Sequence, residues 1–146
     1  MKTYIFKISL KEYRDVAKVK GVFRVIEVPE NISLYKLAEM IIGVFNFDFD
    51  HCFGFFKGDD IFKKGVEGYE LFADMKDEGI EPVETGSVEK TKINQVWKVK
   101  GAEMTFMFDY GDDWRWKVQL HGFGEKDLKK KYPLILEKQG RAPRQY

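Results

Sequence analysis

Residues 103–121 read Glu103-Met104-Thr105-Phe106-Met107-Phe108-Asp109-Tyr110-Gly111-Asp112-Asp113-Trp114-Arg115-Trp116-Lys117-Val118-Gln119-Leu120-His121. Met104, Phe106, Phe108 and Tyr110 alternate with more polar neighbours, and so do Trp114, Trp116, Val118 and Leu120. Period-two alternation on both sides of Gly111-Asp112-Asp113 predicts a β-hairpin whose even-numbered residues share one apolar face. Directly opposite residues of an antiparallel pair lie on the same face, so a one-residue slip would mix the faces. A three-residue loop over 111–113 places Tyr110 opposite Trp114, Phe108 opposite Trp116, Phe106 opposite Val118 and Met104 opposite Leu120. On the other face it places Asp109 opposite Arg115 and Glu103 opposite His121. Each large buried side chain contributes about 1.5–3 kcal/mol, against roughly 0–1 kcal/mol for an exposed ion pair. The aromatics therefore fix this hairpin.

The same period recurs at the start of the chain, where Tyr4, Phe6, Ile8 and Leu10 share a parity in a strand over 2–10. A polar connection over 11–20 leads to a second strand, Val22 to Val28, which Pro29 stops because proline has no amide to donate. Leu34, Leu37, Ala38, Ile41, Ile42 and Phe45 recur at spacings of three and four, which predicts a helix over 34–45 with Ser33 as its N-cap and Glu39 on the wet face. Residues 45–56 open as a turn and become a third strand. A short helix is expected over 68–77, with Tyr69, Phe72 and Met75 on one side. An exposed loop follows over 79–89, then a short helix over 90–97. The whole predicts one α+β domain over 1–146, a mainly antiparallel sheet packed against one long helix and shorter helices.

The chain has 146 residues, with 25 Lys+Arg against 24 Asp+Glu, which fits a single domain with a core of its own. One cysteine, Cys52, excludes an internal disulfide framework and a four-cysteine metal site. No run of about 18 apolar residues exists, so no membrane contact is expected. The first residues do not look like a secretory signal, and the expected compartment is the cytoplasm. With 20 Lys among its bases and only three Asn and four Gln, the composition predicts a high-temperature source. A melting temperature near ~50 °C would contradict that. Charge is uneven: residues 67–89 carry −7 and residues 126–146 carry +5. The basic C-terminal segment is a candidate contact for nucleic acid or an acidic protein, or else a solvated surface facing its own acidic segment.

Phe108-Asp109-Tyr110-Gly111-Asp112-Asp113-Trp114 resembles the central motif of the plasmid pRiA4b Orf3-like family, roughly Tyr-x-Asp-Phe-Gly-Asp-Asp-Trp-x-His. Tyr110 stands in for Phe, and Trp116 sits where the family usually has His. Arg24-Val25-Ile26-Glu27-Val28-Pro29 is similar to the family's Arg-x-Ile-x-Val-Pro strand. Leu34 to Phe45, followed by Phe47 and His51, is similar to its helix, Trp and His-x-His-x-Phe segment, with Phe47 for the Trp and Phe53 for the second His. Tyr132-Pro133 and Gly140-Arg141-Ala142-Pro143 match its C-terminal pieces, so the resemblance runs from about residue 3 to 143. Ile135 stands where members often carry a cysteine. The resemblance implies a compact α+β domain without an established activity. The label of mobile-element passenger protein describes gene context, and fold alone does not give function.

The candidate family-motif site is Asp109, Gly111, Asp112, Asp113, Trp114 and Arg115 with His51. Its three aspartates suit a hard cation such as Mg2+ or another divalent ion. Asp in tight turns commonly bonds its own backbone, so the cluster reads first as turn and ion-pair structure and second as a site. His51, His121 and Cys52 supply a partial transition-metal set, and Phe45, Phe47, Phe49, Phe53, Phe55 and Phe56 supply either an apolar groove or a core. Cys52, in an apolar run, reads as inert. No nucleophile elbow, phosphate-binding Gly-rich loop or His-Glu-x-x-His is present. Asp113 and Lys117 form only a loose counterpart of a nuclease acid/lysine pair. Three functions stay open: a non-enzymatic binding module associated with mobile DNA, a metal-dependent hydrolase or nuclease using Asp109, Asp112 and Asp113, and a small-ligand or peptide-binding domain with a Phe-lined groove.

Overall fold

The alternation at the N-terminus produces strand β1 (Lys2–Glu12), which pairs antiparallel with β2 (Phe23–Pro29) on one side and β7 (Trp114–Glu125) on the other. The structure is a computed structural model describing residues 1–61, 63–75 and 85–146. Its other elements are α1 (Leu34–Val44), β3 (Phe53–Phe56), β4 (Gly68–Glu70), a 3-10 turn (Leu71–Asp74), β5 (Gly86–Ser87), α2 (Ile93–Val96), β6 (Glu103–Phe108) and β8 (Leu134–Gln139). Among the described residues these strands make one eight-stranded sheet in the order β5-β4-β3-β6-β7-β1-β2-β8. Every neighbouring pair is antiparallel except β4 with β5.

The even-numbered face of the hairpin is the core face, as its pattern requires. Trp114, Trp116, Phe106, Phe108, Val118 and Leu120 are fully buried and share one cluster with Phe6, Ile8, Ile26 and Val28. α1 adds Leu34, Leu37, Ala38, Ile41 and Ile42 to that cluster, while Glu39 is exposed. Ser33 caps the helix as expected, its hydroxyl accepting the Lys36 amide at 3.1 Å. The indole of Trp97 donates to the Val118 carbonyl at 3.1 Å, and the Tyr4 hydroxyl donates to the Trp97 carbonyl at 2.9 Å. These two bonds tie the end of α2 to β7 and β1.

Sheet dominates more than the sequence predicts. α2 spans four residues inside the expected 90–97 helix, and among the described residues α1 is the one helix longer than that. β1 continues into the expected 11–20 connection as far as Glu12, and Pro29 is the last paired residue of β2 rather than a residue beyond it. Residues 68–70 are extended, not helical. Gly68 lies opposite Phe56, where a Cβ would meet the Phe56 ring at 2.7 Å, so this glycine permits a close strand approach. Residues 76, 77 and 79–84 of the expected helix and loop lie outside the described residues. Within 85–89, Val88 is fully buried rather than exposed, its amide donating to Asp74 at 3.1 Å.

The hairpin register also differs. Phe108 pairs with Trp114, Phe106 with Trp116, Met104 with Val118 and Glu103 with Gln119, leaving a five-residue turn over 109–113. Each partner is displaced by two residues from the expected one. A two-residue slip keeps every side chain on its own face, so burial cannot choose between the two registers. Turn conformation chooses: Asp109 (φ 64°) and Asp113 (φ 55°) both adopt left-handed backbone, and Asp tolerates this better than most residues.

Candidate functional site

The turn over 109–113 is held mostly by its own aspartates. Asp109 Oδ1 accepts the amides of Gly111 (3.1 Å) and Asp112 (3.3 Å), and the Asp113 amide donates to the Asp109 carbonyl at 2.6 Å. The three carboxylates then go separate ways. Asp113 takes a two-pronged contact from Arg115, with Nε–Oδ1 at 2.7 Å and Nη2–Oδ2 at 3.1 Å. Asp112 Oδ2 lies 3.4 Å from Arg14 Nε, and the Asp112 carbonyl accepts the Arg14 amide at 2.6 Å. Asp109 Oδ2 faces His51 Nε2 at 3.4 Å. The expected Asp109–Arg115 and Glu103–His121 cross-strand pairs are absent, because the register that would place them opposite each other is not formed.

His51 meets the turn from the segment between α1 and β3. Its Nε2 lies 3.5 Å from Asp50 Oδ1 and 2.8 Å from the Tyr146 hydroxyl. That hydroxyl donates its one proton to Asp50 Oδ2 at 2.5 Å, so the His51–Tyr146 bond runs with Nε2–H donating. The carboxylate partner pushes the Tyr146 phenol up to about 12. Gln145 fastens the same C-terminal segment: its side chain accepts the Asp48 amide at 2.7 Å and donates to the Asp48 carbonyl at 3.0 Å. Arg14 completes the arrangement by donating to the Gln145 carbonyl while its guanidinium lies 5.4 Å from the Trp114 ring centroid.

The structure thus joins Asp109, Asp112, Asp113, Trp114 and Arg115 with His51, and adds Arg14, Asp50, Gln145 and Tyr146. Arg14, Gln145 and Tyr146 carry no local signal in the sequence, since their contacts span nearly the whole chain, whereas Asp50 is the chain neighbour of His51. Among the described residues, no group of three or more His, Cys, Asp and Glu side chains is placed to hold a metal ion. His121 is exposed on β7, away from the hairpin turn, and does not join His51. Lys117 Nζ lies 3.8 Å from Glu103, not beside Asp113. Burial and the Glu70 charge push the Cys52 thiol up, away from thiolate chemistry. Phe45, Phe47, Phe53, Phe55 and Phe56 are core residues, and Phe49 packs partly buried against them.

The largest of the described clefts, about 430 Å³, lies on the opposite face of the sheet from α1. Lys11, Lys18, Arg115 and Lys117 line it against Glu12 and Asp59. Strands β4 and β5 form one edge of the sheet and β8 the other. Strands β4 and β5 of the acidic segment 67–89 and strand β8 of the basic segment 126–146 therefore lie on opposite edges, while Gln145 and Tyr146 reach back to Asp48 and Asp50. No described helix is long and apolar enough to cross a membrane.

No curated protein matches this chain. Among solved structures it is similar to a protein of unknown function from Methanosarcina mazei Go1, with a TM-score of 0.75 and 23% identity, over 97% of this chain and 71% of that one. That likeness concerns the fold. The family model described as plasmid pRiA4b ORF-3-like protein matches residues 2–145, nearly the entire chain. Phe53 and Trp116, which stand where the resembled pattern has His, are both fully buried, so they serve the aromatic core. On this match the chain belongs to the plasmid pRiA4b ORF-3-like family.

Proposed function

We propose that this protein is a non-enzymatic binding module. The observation that carries this reading is the divergence of Asp109, Asp112 and Asp113 onto three different partners, His51, Arg14 and Arg115. A divalent-ion site needs several carboxylate oxygens converging within about 2.0–2.6 Å of one point. These carboxylates instead close a turn and hold the C-terminal segment, which leaves the clefts as the surfaces for a ligand. Lys11 and Lys18 line the outer-face cleft beside Arg115, held by Asp113 and Glu12, and Lys117, held by Glu103, so much of its charge is balanced within the protein.

Calorimetry with Mg2+, Mn2+ and Zn2+ tests the reading, using the wild type beside an Asp112→Asn/Asp113→Asn variant. The expected result is no saturable heat in either. Saturable heat in the wild type that the variant loses would favour the metal-dependent hydrolase or nuclease. The link to plasmids or mobile DNA rests on the family name. Titration with duplex DNA at rising salt tests it: binding through residues 126–146 would weaken steeply as salt displaces the lysines and arginines from the phosphates. Absent or salt-insensitive binding would remove the nucleic-acid version and leave an acidic protein or small ligand.

A further inference from the structure

Arg24 is the one arginine on the core face. It shares the parity of Ile26 and Val28 on β2, and like them it is buried, at 1% exposure. Its Nη1 donates to the carbonyls of Phe23 (2.8 Å), Gln139 (2.9 Å) and Gly140 (3.1 Å), and its guanidinium lies 4.8 Å from the Phe45 ring centroid. Nε is buried without a hydrogen-bond partner among the described residues. A buried cation without a counter-charge is costly, and burial lowers its pKa accordingly.

Arg24 lines a second cleft of about 230 Å³ between the end of α1 and the C-terminal segment. Among the described residues the other charged ones lining it are Lys138, Arg141 and Arg144, with no carboxylate. Asp48, next after Phe47, is exposed and lies outside the lining. The wall carrying these cations is fixed at both ends. Gly140 (φ 76°) sits so close to Gly21 that a Cβ would meet the Gly21 carbonyl oxygen at 2.3 Å, and Gln145 is bonded both ways to Asp48. Four like charges held around a small concavity repel one another in the empty protein. A multiply charged anion seated among them relieves that repulsion.

We propose that this cleft binds a phosphomonoester-type dianion, with Arg24 as its buried floor and Lys138, Arg141 and Arg144 as its outer cations. The inference is independent of the reading given to the aspartate turn. A monoester phosphate brings up to two charges and three terminal oxygens to one point. A nucleic-acid phosphodiester brings one charge per phosphate and calls for an extended basic track rather than a pit.

The test is calorimetry at low ionic strength with three probes, namely inorganic phosphate, glycerol 3-phosphate and dimethyl phosphate. The proteins are the wild type, Arg141→Gln/Arg144→Gln and Arg24→Lys. Saturable one-to-one binding of the first two probes is expected, with dimethyl phosphate at least tenfold weaker. Tighter binding of inorganic phosphate points to the free ion, and tighter binding of glycerol 3-phosphate to an organic ester. The exposed double variant is expected to weaken binding at least tenfold with an unchanged melting temperature, so the test survives even if Arg24→Lys fails to fold. Absent saturation, equal affinity in the double variant, equal binding of dimethyl phosphate, or displacement of phosphate by duplex DNA at lower concentration would each overturn the proposal.

Discussion

Arg115 grips Asp113 two residues upstream at the start of β7, with both guanidinium contacts at 3.1 Å or less. Burial alone would lower the pKa of this arginine, but the hydrogen bonds and charge of Asp113, joined by Glu12, raise it instead. The pair therefore fastens the turn to the outer face of the sheet, where Arg115 also lines the larger cleft. Replacing Asp113 by Asn keeps a residue that tolerates left-handed backbone, removes the charge and turns one of the two acceptor oxygens facing Arg115 into a donor. The expected loss is about 1 kcal/mol or less, because solvent screens a carboxylate that is 35% exposed. Urea unfolding of Asp113→Asn measures it, and a loss of several kcal/mol would mean that the turn depends on more than this ion pair.

The apolar face should cost far more to damage. Phe106 is fully buried among Phe53, Phe55, Phe108 and Trp116. Phe106→Ala is expected to lose about 3–5 kcal/mol, the range for a large buried aromatic that leaves a cavity. Trp116→Phe should lose much less. The indole N–H of Trp116 is buried without a hydrogen-bond partner among the described residues, so removing it offsets part of the lost packing. Denaturant midpoints of the two variants give the order directly, and a Trp116 loss equal to that of Phe106 would contradict it.

The Tyr146 phenol should ionise late. Its proton is held by Asp50, which lifts the phenol from 10.0 to about 12. A raised folded pKa means that the contact contributes fully below pH 10.0 and is lost as pH climbs through about 12. Ultraviolet titration of the wild type against Tyr146→Phe isolates this phenol. Asp50→Asn should return its titration towards 10.0, and an unchanged titration there would remove Asp50 as the cause.

Backbone geometry supplies the remaining prediction. Gly140 has left-handed backbone, and an added Cβ would strike the Gly21 carbonyl oxygen and the Val22 Cα. Gly140→Ala is expected to cost about 2 kcal/mol or more, combining left-handed strain with a clash against backbone that cannot rotate away. Hydrogen exchange should quicken first along the β2–β8 pairing, which begins at Phe23 and Gln139. Uniform quickening across the sheet would show that the loss is not local.

The amino-acid pattern by itself determined which face of β1 and of the β6–β7 hairpin packs on the main core, where α1 starts, which residue caps it, and which family the chain resembles. All of these depend on short-range periodicity or on a contiguous motif. Tertiary structure alone decided the hairpin register, because the two alternatives bury the same side chains and differ only in the turn over 109–113. It also decided β8, a sheet edge where Ile135 and Leu136 are both about half exposed and leave no alternation to read. The setting of the candidate site was equally illegible. Arg14 meets Asp112 across the fold, and Gln145 and Tyr146 reach Asp50 and His51 only after the C-terminal segment folds back across the end of the sheet. Contacts of that sequence separation follow from where the whole chain packs, and no local spacing encodes them.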